Sequence, residues 1–79
     1  MNVQWLLVGG PADGKTVWVK AGISVRWPGG DGKTYEYRGQ NYLEGGRLYR
    51  VGCIDPNDLL QSKVRDLIHS TGVQHIAGS

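Results

Sequence analysis

A small, mainly β domain closed by one amphipathic helix is the fold class this sequence predicts. The arrangement is α+β: a small antiparallel meander or an SH3- or OB-like barrel of five to six short strands, followed by the helix. Three observations predict it. Apolar and polar residues alternate with the two-residue period of strands in several short runs. Thirteen glycines, concentrated in residues 1–52, punctuate those runs with tight turns. A helical period appears only once, after Asp55.

The elements follow in order. Val3 to Val8 is an apolar run bounded by Gly9-Gly10-Pro11 and reads as a buried strand. Thr16 to Lys20 alternates around Val17 and Val19 and reads as the second strand. Ile23, Val25 and Trp27 share one face of a third strand, with Ser24 and Arg26 on the other. Pro28-Gly29-Gly30-Asp31-Gly32 is a turn, since Asp-Gly supplies the positive φ a tight hairpin needs. Thr34 to Arg38 follows, with Tyr35 and Tyr37 on one face. Tyr42-Leu43 and Arg47 to Val51 form a further hairpin around Gly45-Gly46.

The character changes at Asp55. Asp55 suits an N-cap, Pro56 the first helical position and Asp58 the first turn. Leu60, Val64, Leu67 and Ile68 then make one apolar stripe, and Gly72 suits the C-terminal cap. Val73 to Ile76 is a candidate last strand. The whole is one domain over 1–79, with a β-meander over 1–53, a helix over 55–71 and a tail over 72–79.

A chain of 79 residues buries only ~60–65% of its unfolded surface, so self-association is an expected remedy. The net charge of +2 is modest for a dedicated nucleic-acid binder. Its basic excess lies in residues 1–52, which makes a basic sheet face the place to look. One cysteine excludes an internal disulfide and a cysteine-only metal site. Trp5 to Val8 is too short for a signal-peptide core, and no apolar run reaches the ~20 residues of a membrane span. A cytoplasmic protein without membrane contact is expected.

Gly9-Gly10-Pro11-Ala12-Asp13-Gly14-Lys15-Thr16 matches the phosphate-binding pattern G-x-x-x-x-G-K-[ST]. The mechanism behind that pattern needs the loop to open a helix, whose amides and dipole hold the phosphates. Here Lys15-Thr16 leads into Val17-Trp18-Val19, a strand, and Pro11 removes a donor. The segment reads as a structural turn. Cys53 continues the face of Tyr49 and Val51 and reads as a buried apolar residue rather than a nucleophile. His69 and His75 are too separated to make a metal site. No catalytic residue, no metal ligand set and no cofactor are therefore expected, and the chain does not read as an enzyme.

Surface chemistry remains. Trp18, Lys20, Arg26 and Arg38 all oppose inward-facing neighbours on their strands. If those strands adjoin, they form one outward patch with Arg47 at its rim. Aromatic platforms beside basic side chains bind single-stranded nucleic acids, and the same residue types dominate protein interfaces.

Leu6-Leu7-Val8-Gly9-Gly10-Pro11-Ala12-Asp13-Gly14, with the tyrosine- and arginine-rich hairpin from Tyr35 to Arg50, resembles a class of small proteins of tailed bacteriophages and prophages. The resemblance covers residues 5–50. It implies a phage-encoded accessory protein in the host cytoplasm and assigns no activity. The expected function is docking on a host macromolecule, a host protein first, with inhibition of that protein as one outcome. Single-stranded nucleic-acid binding by the basic aromatic face and a structural role in a phage particle are the alternatives.

Overall fold

The computed structural model describes residues 2–20, 22 and 24–76. Among these, five strands run β1 (Val3–Val8), β2 (Thr16–Val19), β3 (Ser24–Pro28), β4 (Thr34–Glu44) and β5 (Arg47–Cys53), and one helix, α1 (Gln61–Thr71), follows. Ile23, which the alternation places on the third strand, lies outside the described residues, as do the last three residues of the tail.

The strands form one sheet in the order β2-β1-β5-β4-β3. It is mixed rather than a meander. β1 pairs parallel to β5, with Leu6 opposite Val51, while the other ladders are antiparallel. The two ends of β1 explain this. Gly9 and Gly10, at φ 80° and 63°, reverse the chain into the β1–β2 hairpin. β1 is then left with an open side, which the most apolar stretch of the later chain fills. A strand buried on both faces is apolar throughout, as Trp5-Leu6-Leu7-Val8 is.

The sheet curls into a nearly closed barrel. Its inner face carries Trp5, Leu7 and Tyr37, and Val17 and Val19 of β2 pack on them together with Val25 and Trp27 of β3. β2 and β3 thus approach from opposite edges onto one inner cluster without pairing. The outer face carries Leu6, Val8, Tyr49 and Val51, which Val64 and Ile68 of α1 cover, with Val73 beyond them. The mainly β barrel-like domain with a C-terminal helix is therefore the fold.

Three further expectations need correction. The hairpins 34–38 and 42–51 share one continuous strand, β4. Gly39 does not interrupt it, because Trp5 packs where a side chain on Gly39 would stand. The helix begins later than Asp55. Asp55 does cap, accepting from Asn57 N–H at 2.9 Å, but the capped element is a single 3₁₀ turn, Pro56–Asp58. α1 starts at Gln61 with Leu60 extended before it. Leu60 is consequently outside the buried stripe, exposed at 61%, while Leu59 packs on the core in its place. Val64 and Ile68 are buried and Leu67 packs at the margin. Gly72 closes the helix in the left-handed conformation as expected, at φ 68°. Val73 to Ile76 forms no strand; Ile76 N–H donates to Leu48 C=O at 2.7 Å.

Candidate functional site: the Trp18 edge

The segment 9–16 is a turn locked from within. Gly9 N–H donates to Asp13 Oδ1 at 2.6 Å and Ala12 N–H to the Tyr37 hydroxyl at 2.9 Å. Asp13 N–H goes to Gly10 C=O, Gly14 N–H to Leu7 C=O and Lys15 N–H to Ala12 C=O. A phosphate cradle needs such amides free and convergent; these are spent. Asp13 takes the anionic place. Its carboxyl is held below its ordinary pKa by the Gly9 N–H and by Lys63, whose ammonium lies 3.1 Å away. Two predictions follow. Lys15→Ala should leave the melting temperature unchanged, and ATP or GTP should not raise it; saturable nucleotide binding lost in Lys15→Ala would contradict the geometry. The depressed Asp13 pKa stabilises the fold above the unfolded value of roughly pH 4 and is lost as the pH falls through the folded value. Acid titration of Asp13→Asn should therefore show a smaller loss of stability over that window than the wild type.

Cys53 is buried, and Gln40 Nε2 lies 3.2 Å from its sulfur. Burial pushes its thiol pKa up, the reverse of what a nucleophile needs. His75 stands edge-on to Tyr49 at 6.3 Å between ring centroids. Among the described residues no group of His, Cys, Asp and Glu is disposed to hold a metal ion.

The residues expected to form one binding patch occupy three places. Strand order is the reason: β2 and β3 end the strand order and share no ladder, so Trp18 and Arg26 are not cross-strand partners. Arg26 and Arg38 share the outer surface of β3 and β4 with Glu36, which stands opposite Arg26 and lies 3.5 Å from Arg38 Nε. Arg47 faces Glu44 across the β4–β5 hairpin. Each of these arginines has a carboxylate beside it, which weakens its pull on a phosphate. Arg50, not among the expected residues, lies over the Trp5 ring at 5.0 Å and donates to Asn41. Nothing in the sequence signalled this, since Trp5 and Arg50 meet only through the parallel β1–β5 pairing.

Trp18 lies within β2 and Lys20 just past its end, beside a second cleft lined by Val3, Trp5, Val19 and Arg50. Trp18 sits opposite Gln4 on the helix-bearing face and is 56% exposed. Beside it a cleft of about 150 Å³ is lined by Val3, Gln4, Gln74, His75 and Ile76. The tail is pinned there by Gln74 N–H donating to Gln4 Oε1 at 2.8 Å. The cleft is below the roughly 300–1,000 Å³ of small-molecule sites. It has room for about one side chain. No helix is long and apolar enough to cross a membrane among the described residues.

The fold and this edge define a small barrel-like α+β domain with an edge strand bearing an exposed tryptophan. No family model matches the chain, and neither does any curated protein or solved structure.

Proposed function

We propose that this domain is a non-catalytic binding module that docks on a protein through the β2 edge, with Trp18 as its anchor. The carrying observation is that Trp18, the most interface-prone residue type, stands more than half exposed beside a side-chain-sized cleft. Its strand neighbours Val17 and Val19 face the inner cluster, so the core does not require the indole. The resemblance of residues 5–50 to tailed-phage proteins supports a host protein in the cytoplasm as the partner, with blocking of that protein as the proposed consequence. The separation of the basic residues, with Glu36 and Glu44 among them, favours a protein over a single-stranded nucleic acid, which needs a continuous basic track.

The test is capture from host lysate by the wild type and by Trp18→Ala, with and without nuclease. Trp18→Ala should lose the partner at least ~30-fold, as hot-spot truncations do at ~2 kcal/mol or more. Its stability should stay within ~0.5 kcal/mol of wild type, as for an exposed side chain. Equal capture by Trp18→Ala would remove the reading. Capture abolished by nuclease would replace the protein with a nucleic acid.

A further inference from the structure

The two edges of the sheet are protected differently. β3 ends in Pro28, which offers no N–H, and the 3₁₀ turn Gly10–Ala12 packs against it. β2 pairs with β1 alone among the described residues, and residues 74–76 of the tail stand beside Trp18. Its ladder with β1 fixes which backbone groups are free. Leu7 N–H donates to Lys15 C=O at 2.8 Å, and bonded positions recur at every second residue of an antiparallel pair. Val17 and Val19 therefore spend their backbone groups on β1, while Thr16 and Trp18 turn theirs outward.

The same strand is flanked by Lys15 and Lys20, both exposed, with no acidic residue between them. Neither has an ion pair among the described residues, whereas Arg26, Arg38 and Arg47 all have carboxylates beside them. The lysines also bear on self-pairing. Two copies joined antiparallel about Trp18 would bring Lys15 of one and Lys20 of the other to the same end of the ladder, like charge by like charge.

Resting on the reading that this face docks a protein, we infer that β2 receives an extended segment of the partner as an added strand, apolar in alternation and acidic at both ends. Thr16 and Trp18 supply the backbone ladder. The cleft beside Trp18 takes one alternate side chain, and Lys15 and Lys20 hold the acidic ends. Strand addition of this kind draws affinity from main-chain bonds and specificity from pockets for every second residue.

Two synthetic peptides test this: alternating valine and threonine flanked by aspartates, and the same core flanked by lysines. The aspartate peptide should bind at least ~10-fold more tightly, a difference of about 1.4 kcal/mol. Amide hydrogen exchange at Thr16 and Trp18 should slow on saturation. The double variant Lys15→Glu with Lys20→Glu should reverse the preference while melting as the wild type does. Saturable binding by neither peptide, equal binding by both, or unprotected Thr16 and Trp18 amides overturns the inference. So does protection that rises with protein concentration alone, which would make the occupant a second copy. If any of these occurs while Trp18→Ala still loses the lysate partner, docking stands and strand addition falls. If Trp18→Ala captures normally, the docking reading falls first.

Discussion

Tyr37→Ala is expected to leave the domain largely unfolded at room temperature. The side chain is fully buried at the centre of the inner cluster, and truncating a core aromatic costs ~3–5 kcal/mol. A single small core rarely supplies more than ~3–5 kcal/mol in total. Tyr37→Phe separates packing from hydrogen bonding. The hydroxyl donates to Gly9 C=O at 2.6 Å and accepts from Ala12 N–H at 2.9 Å, both buried. Phenylalanine keeps the ring and orphans both groups, at ~1–3 kcal/mol each where water cannot enter. Urea unfolding followed by circular dichroism should show a large fall in midpoint at unchanged slope. A Tyr37→Phe midpoint equal to wild type would mean that the hydroxyl does not hold the turn. The consequence reaches the binding edge, because the turn 9–15 sets where β2 begins.

Trp5→Ala should cost a similar ~3–5 kcal/mol. Trp5 is 2% exposed, and the glycines around it show how tightly it is held. A methyl on Gly39 would fall against Cη2 and Cζ3 of the indole, and one on Gly52 would lie 2.9 Å from Leu7 Cδ2 and 3.3 Å from Trp5 Cε3. A rigid ring buried in a packed interior has nowhere to move, so Gly39→Ala should cost ~1–3 kcal/mol by overpacking. The two substitutions should couple. In the Trp5→Ala background the added methyl no longer meets the indole, and most of the penalty of Gly39→Ala should be lost, leaving only the approach to Arg50 Nε at 2.9 Å, which a double-mutant cycle measures. Additive costs would show that Gly39 resists a side chain for some reason other than Trp5.

Trp5 lies on the β1–β5 ladder and the Tyr37 hydroxyl reaches back to the turn after β1, so both roles join segments distant in sequence and are invisible in the chain. Alternation marks Tyr37 as an inward residue, and the apolar run Val3–Val8 marks Trp5 as buried. Neither says that the Tyr37 hydroxyl returns to a turn 28 residues earlier, the separation between Tyr37 and Gly9. The proposed binding surface failed as a single patch on the same ground. The outward orientation of Trp18 and Arg26 followed correctly from Val17, Val19, Val25 and Trp27 facing in. Their adjacency depended on strand order, which local pattern does not encode.

The sequence by itself determined the class of the fold, the inward faces of β2, β3 and the start of β4, the glycine turns and the left-handed cap at Gly72. Each of these rests on properties of a few neighbouring residues: side-chain period, positive φ and capping chemistry. It also determined that Gly9–Thr16 is a turn, because a β-branched, aromatic segment cannot open the helix that a phosphate loop needs. Tertiary structure alone decided the parallel β1–β5 pairing, the continuity of β4 through Gly39 and the late start of α1, where packing of Leu59 on the core overrides the helix signal of Asp55-Pro56. It alone left β2 as an edge strand with Trp18 upon it. These outcomes depend on which apolar surfaces meet, and that is settled by the burial of the whole chain rather than by any segment within it.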